Sequence, residues 1–95
     1  MAVLMELEVE ATADQYDAID RAVDAKGNPP DGFMAHSAQD AGGTMRIVDI
    51  WASPEAFGAF AESRLGSAIA EVLGDDAPSE PPQPKFTELH NAYTA

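Results

Sequence analysis

Residues 42–65, GGTMRIVDIWASPEAFGAFAESRL, read as a turn, a strand, an abrupt helix start and an amphipathic helix, with the only tryptophan at the strand's exit. Strand side chains alternate, so Met45, Ile47 and Trp51 fall on one face and Val48 and Ile50 on the other. A strand that is apolar on both faces needs cover on both. After Trp51, Ser53-Pro54-Glu55 combines a serine cap, a proline in the first turn and an acid at the positive end of the helix dipole. Phe57, Phe60, Ala61, Leu65, Ala68, Ile69 and Val72 then form one apolar stripe. Gly58 and Gly66 each weaken that helix by about 1 kcal/mol relative to alanine, and a bend is expected near Gly66.

Upstream, Met5, Leu7 and Val9 alternate with Glu6, Glu8 and Glu10, the pattern of a half-buried strand over Val3–Glu10. Thr12-Ala-Asp-Gln15 matches a capping box. Tyr16, Ile19, Ala22 and Val23 give the following helix its apolar side, with Tyr16 read as helix core and Gly27 as the stop. Asn28-Pro-Pro-Asp-Gly32 must turn. Phe33–Gln39 is a weaker strand that the Asp40–Gly43 loop joins to the central one as a hairpin. Gly74–Pro84, rich in proline and acid, is expected to be an exposed connection, and Lys85–Tyr93 a final strand.

Ninety-five residues predict one domain spanning 1–95, with a core that removes roughly 60–68% of the unfolded surface. No apolar run approaches the roughly 20 residues needed to cross a bilayer. The opening MAVLMELEVE lacks a basic n-region, so the cytoplasm is the expected location. There is no cysteine, hence no disulfide, thiolate nucleophile or cysteine metal site. Seventeen acids against five bases give a formal charge of −12. Such a surface disfavours nucleic acid and anionic membranes as partners.

The order strand, helix, strand, strand, helix, strand predicts an α+β, ferredoxin-like βαββαβ fold: a four-stranded antiparallel sheet with both helices on one face. The opposite face is expected to present Ile47, Trp51, Met45 and Met34. An apolar patch of that size calls for a homodimer, sheet against sheet.

These pieces resemble the dimeric α/β-barrel superfamily, and within it small proteins of the antibiotic biosynthesis monooxygenase type. The residues that carry the likeness are Gly42-Gly43 leading into MRIVDIW, Ala52-Ser53-Pro54-Glu55-Ala56-Phe57 with Phe60 one turn on, and Leu89-His90-Asn91. The resemblance implies a tryptophan at the exit of this strand in members that oxidise aromatic polyketides without a cofactor, and Trp51 matches it. It does not extend to haem degradation, because the first strand offers Glu6 and Glu8 in place of an asparagine and the second helix has no histidine.

With Asp49 and Trp51 pointing away from the helices, the expected site is a cavity at the sheet face, bounded by the partner subunit. Trp51, Ile47, Met45, Met34 and Glu6 are its candidate ligand-binding residues, and His36, His90 and Asp49 its candidate catalytic ones. Histidine is the usual general base near neutral pH. Asp49 in an apolar strand is costly to bury unless it is paired, with Arg46 or a histidine as partner, or faces a polar pocket. Suitable metal ligands exist, but no HxH or HExxH spacing does, so neither a metal nor another cofactor is expected. Two functions stand. In the first, a cofactor-independent monooxygenase holds a small phenolic or quinol-type molecule, His36 or His90 removes a proton and Trp51 stacks on the ring. In the second, a non-catalytic homodimer binds a small ligand or serves a structural role, with Trp51 an anchor and each histidine a hydrogen-bonded structural residue or a surface group.

Overall fold

Alternation in the first strand sets the layers. In β1 (Val3–Val9), Val3, Met5, Leu7 and Val9 are buried, whereas Glu8 is exposed. The computed structural model describes residues 1–78 and 82–93. After β1 come α1 (Ala13–Val23), β2 (Phe33–Asp40), β3 (Met45–Trp51), α2 (Pro54–Phe60), a π-helical segment (Ala61–Leu65), α3 (Gly66–Leu73), a 3-10 turn (Gly74–Asp76) and β4 (Lys85–Glu88). The strands form one antiparallel sheet in the order β2-β3-β1-β4. Ile19 and Val23 of α1 join Phe57, Phe60, Ala68, Ile69 and Leu73 of the second helical arm in a core against one face of that sheet. This is the α+β, ferredoxin-like arrangement expected from the element order.

Both helix starts follow local chemistry. The Thr12 hydroxyl accepts the Gln15 amide at 3.2 Å while the Gln15 side chain accepts the Thr12 amide at 2.8 Å. The Ser53 hydroxyl accepts the Ala56 amide at 3.1 Å, with Pro54 opening the turn. α1 stops earlier than Gly27 suggests, because Asp24 takes the left-handed conformation at φ 51° and ends it. Where a bend is expected, the amide of Gly66 donates to the Ala61 carbonyl, a five-residue step that widens the helix into its π segment. A Cβ at Gly66 would sit 3.3 Å from that carbonyl oxygen, so glycine suits the widened turn.

The last strand is shorter than expected. It pairs Val3 with Glu88, and the Leu89 amide reaches the Ala2 carbonyl at 2.9 Å. Residues beyond Leu89 run past the end of β1 and leave the ladder. Of the expected Gly74–Pro84 connection, residues 79–81 lie outside the described residues.

One expectation is overturned. Met45, Ile47 and Trp51 face the helices, not the open side of the sheet. The register pairs Trp51 with Val3, Asp49 with Met5 and Ile47 with Leu7, and residues paired across two strands share a face. Since β1 turns its apolar side to the helices, β3 must turn these residues the same way. The open face carries Leu4, Val48 and Ile50, with Glu6 and Arg46 joined at 2.9 Å. The cavity that Met45, Ile47 and Trp51 line therefore lies on the helix side of the sheet, within one chain.

Gly32 fixes where β2 begins. Its φ is +81°, its carbonyl accepts the Ala52 amide at 2.7 Å, and a Cβ there would lie 2.6 Å from the Ala56 Cβ. Gly42 shares the left-handed backbone at φ +77° but has open space around it. Gly42→Ala should cost about 1–2 kcal/mol from backbone strain alone. Gly32→Ala should cost that and a further ~1–3 kcal/mol from overpacking. Urea denaturation of the two variants checks this; equal losses would contradict the close approach.

Candidate functional site

The site begins with an irregularity in β2. Phe33 pairs with Trp51 but Ala35 pairs with Ile50, so Met34 is an extra residue in the strand. Strict alternation would place His36 on the same face as Met34 and turn it away from Phe33. The bulge reverses that parity: His36 pairs with Asp49 and joins Phe33 on the helix side. It thus re-aims the imidazole at a carboxylate that β3 has already turned inward.

Asp49 is 5% exposed, and both its oxygens are used. Oδ1 lies 2.7 Å from His36 Nδ1, and Oδ2 accepts the Trp51 indole N–H at 3.2 Å. Arg46, which could also have paired with Asp49, is on the opposite face with Glu6. A carboxylate only accepts, so Nδ1 of His36 carries the proton toward it. Nε2 then points to the Tyr16 hydroxyl, 2.5 Å away, and the two rings stack within 7° of parallel. Tyr16 packs against the core, as its place on the helix stripe predicts. Its hydroxyl, the one polar atom on the apolar stripe of α1, is the signal that marks a second role.

A cavity of about 320 Å³ opens between sheet and helices, within the ordinary range for small-ligand pockets, ~300–1,000 Å³. Met5, Met45, Ile47, Trp51, Phe57 and Phe60 wall it. Tyr16, His36 and Asp49 supply polar groups, and the exposed Asp20 and Lys26 border it. Trp51 is 1% exposed, with Phe33, Phe57 and Phe60 at centroid distances of 5.3 to 5.5 Å. The hydrogen bond to Asp49 holds the His36 pKa above its ordinary 6.5; burial pulls the other way, and the Asp49 charge adds to the rise. Burial pushes the Tyr16 hydroxyl up to about 12, with smaller contributions from Asp20, Asp49 and Asp17. Tyr16 therefore keeps its proton throughout the neutral range.

No family model matches the chain, and no curated protein matches it. Solved structures do. A Nitrosomonas europaea protein of unknown function superposes with a TM-score of 0.66 at 21% identity, covering 99% of this chain and 94% of that one. A putative antibiotic biosynthesis monooxygenase from the same organism gives 0.65 at 12%, covering 98% and 94%. A monooxygenase from Streptomyces coelicolor, solved with the ligand nanaomycin D, gives 0.54 at 19%, covering 99% and 90%. This chain has the fold of the antibiotic biosynthesis monooxygenase proteins. At such identities the match establishes architecture, and any chemistry must be argued from the side chains.

Within this fold, His36, Asp49, Trp51, Ile47 and Met45 converge on the cavity. Three other expected residues do not line it. Glu6 lies on the open face with Arg46. Met34 is the residue that the bulge leaves over. His90 is exposed and follows β4, at the opposite edge of the sheet from the strand that carries His36. Among the described residues, no three His, Cys, Asp or Glu side chains come together as a metal-holding group.

A histidine whose pKa is raised on folding contributes stability that is complete below its unfolded value and fades as pH climbs through the folded one. Denaturation at a series of pH values should show unfolding free energy falling as pH rises above about 6.5, the ordinary histidine value. His36→Gln should flatten that segment. An unchanged slope in the variant would show that Asp49 does not stabilise the charged imidazole.

Proposed function

We propose that the chain binds a small planar phenolic or quinol-type molecule in this cavity and oxidises it with molecular oxygen, without a resident cofactor. One observation carries the reading: a histidine anchored by a buried carboxylate stands at the wall of an apolar, aromatic-lined cavity. Trp51, Met45 and Ile47 would hold the ring, and His36 would serve as general base. Proton removal makes the ring electron-rich enough to reduce oxygen. In the net change from phenol to quinone, one oxygen atom enters the ring and the other leaves as water, so the substrate supplies all the electrons. The Streptomyces coelicolor monooxygenase solved with nanaomycin D supports a ligand-binding role for this fold.

The alternative is a non-catalytic ligand-binding or structural protein of the same fold. The near-total burial of Trp51 among three phenylalanines favours it, since that residue anchors the start of α2 whether or not anything is bound. Oxygen uptake with a panel of dihydroxy-aromatic compounds separates the two. The enzyme reading expects uptake that falls about 10²–10⁴-fold in His36→Gln, the usual worth of a general base, while the variant stays folded. Binding without uptake across the panel supports the alternative.

We further propose a homodimer through the open sheet face, built on Leu4, Val48 and Ile50 in place of the residues first expected there, in a protein working in the cytoplasm. Sedimentation should give twice the 10.0 kDa chain mass at micromolar concentration, and Ile50→Asp should give the single chain. Because the cavity lies within one chain, that variant should still bind ligand. A monomeric wild type would remove the dimer and leave the cavity.

A further inference from the structure

Both nitrogens of His36 are committed, Nδ1 to Asp49 and Nε2 to the Tyr16 hydroxyl. An incoming phenol does not meet a free imidazole. The atom available to it is the Tyr16 oxygen, which donates its own proton to Nε2 and keeps lone pairs for the cavity. We propose that Tyr16 is the residue that meets the ligand, and that the Tyr16–His36–Asp49 chain captures phenols as phenolates by relaying their proton to His36. The inference rests on the phenolic reading of the cavity and adds a residue and a protonation state to it.

The proton balance is closed. The phenol O–H donates to the Tyr16 oxygen while the Tyr16 O–H passes its proton to His36 Nε2. Afterwards the ligand is a phenolate accepting from Tyr16, Tyr16 is again a neutral hydroxyl, and His36 is an imidazolium facing the Asp49 carboxylate. No electron moves in this step. The Asp49 contact is what makes the product state stable: the positive ring gains a charge-assisted bond at 2.7 Å to a carboxylate that the Trp51 indole also holds. Asp49 is thus a positioning residue, acting through His36. The charged groups facing the pair are Asp17 and Asp20 of α1 and Asp49 of β3, with Lys26 at the cavity border. Asp49 and Asp20 favour the imidazolium, Asp17 acts on Tyr16, and Lys26 is the one cation among these groups to offset the phenolate. Tyr16 itself is a poor resting anion there, which suits a group that hands protons on and does not keep them.

The test uses 4-nitrophenol, whose phenolate absorbs at longer wavelength than the phenol, titrated with the full chain below the probe's own pKa. Wild type should develop the phenolate band on binding and lower the probe's apparent pKa by about one unit or more, a tenfold or greater preference for the anion. Tyr16→Phe should bind the probe, by tryptophan fluorescence, without the band; His36→Gln should do the same. Circular dichroism checks that each variant is folded, and if one is not, the wild-type pKa shift alone decides. Failure of the probe to bind, or binding with its pKa unchanged, overturns the proposal. So does a band that survives in Tyr16→Phe and vanishes only in His36→Gln, since His36 would then take the proton directly. The oxidation reading fails separately: a phenolate band with no oxygen uptake by any dihydroxy-aromatic compound leaves the relay standing and removes the chemistry.

Discussion

The carboxylate of Asp49 is the group to which the rest of the site answers. An ionised oxygen pair under a helical layer loses its hydration, and it is tolerable only where protein donors replace the water. Two donors do so here, the imidazole of His36 and the indole of Trp51. Each of these bonds fixes something further. The first dictates which nitrogen of His36 bears hydrogen and so leaves the other to accept from Tyr16. The second ties the charged residue to the aromatic cluster from which α2 starts. One buried charge thereby links β2, β3, α1 and α2.

The same layer has two tasks that pull against each other. In a chain of 95 residues the interior is the main source of stability, yet much of that interior borders a cavity of about 320 Å³. Met5, Met45 and Ile47 are core residues and cavity wall at once. Atoms facing a void forgo dispersion contacts, so the space works against stability unless something fills it. The unbranched methionine side chains suit such a wall, because they can settle against ligands of different shape. The overlap also sets which substitutions are informative. Truncating Trp51 would damage fold and site together, whereas Tyr16 and His36, at the rim, change the chemistry with less disturbance of the core.

What could be read from the residues was local, and what could not was a matter of parity. The Thr12 capping box, the Ser53-Pro54 helix start and the alternation of β1 are short-range patterns, and each appears in the structure; near Gly66, where a bend is expected, the helix widens into a π segment. Element order then constrained the sheet and put both helices on one side. The facing of β3 was different. A strand apolar on both sides carries no mark of which side is inward, and only its register with β1 decides. His36 was harder still, because a single extra residue at Met34 reverses everything after it, and the blurred stretch FMAHSAQ gives no sign of a bulge. Tyr16 joined the site through the same reversal. The pairing of Asp49, by contrast, follows from energetics, since a carboxylate in an apolar strand needs a partner and a histidine can supply one.

The arrangement therefore stands or falls with the hydrogen on one ring. Nitrogen-resolved NMR of His36, recorded above its titration, identifies which imidazole nitrogen is protonated in the neutral ring. The account predicts hydrogen on Nδ1, directed at Asp49, with Nε2 bare and accepting from Tyr16. Hydrogen on Nε2 with Nδ1 bare would mean that Asp49 does not hold the ring, and would contradict the chain of contacts from which the site is built.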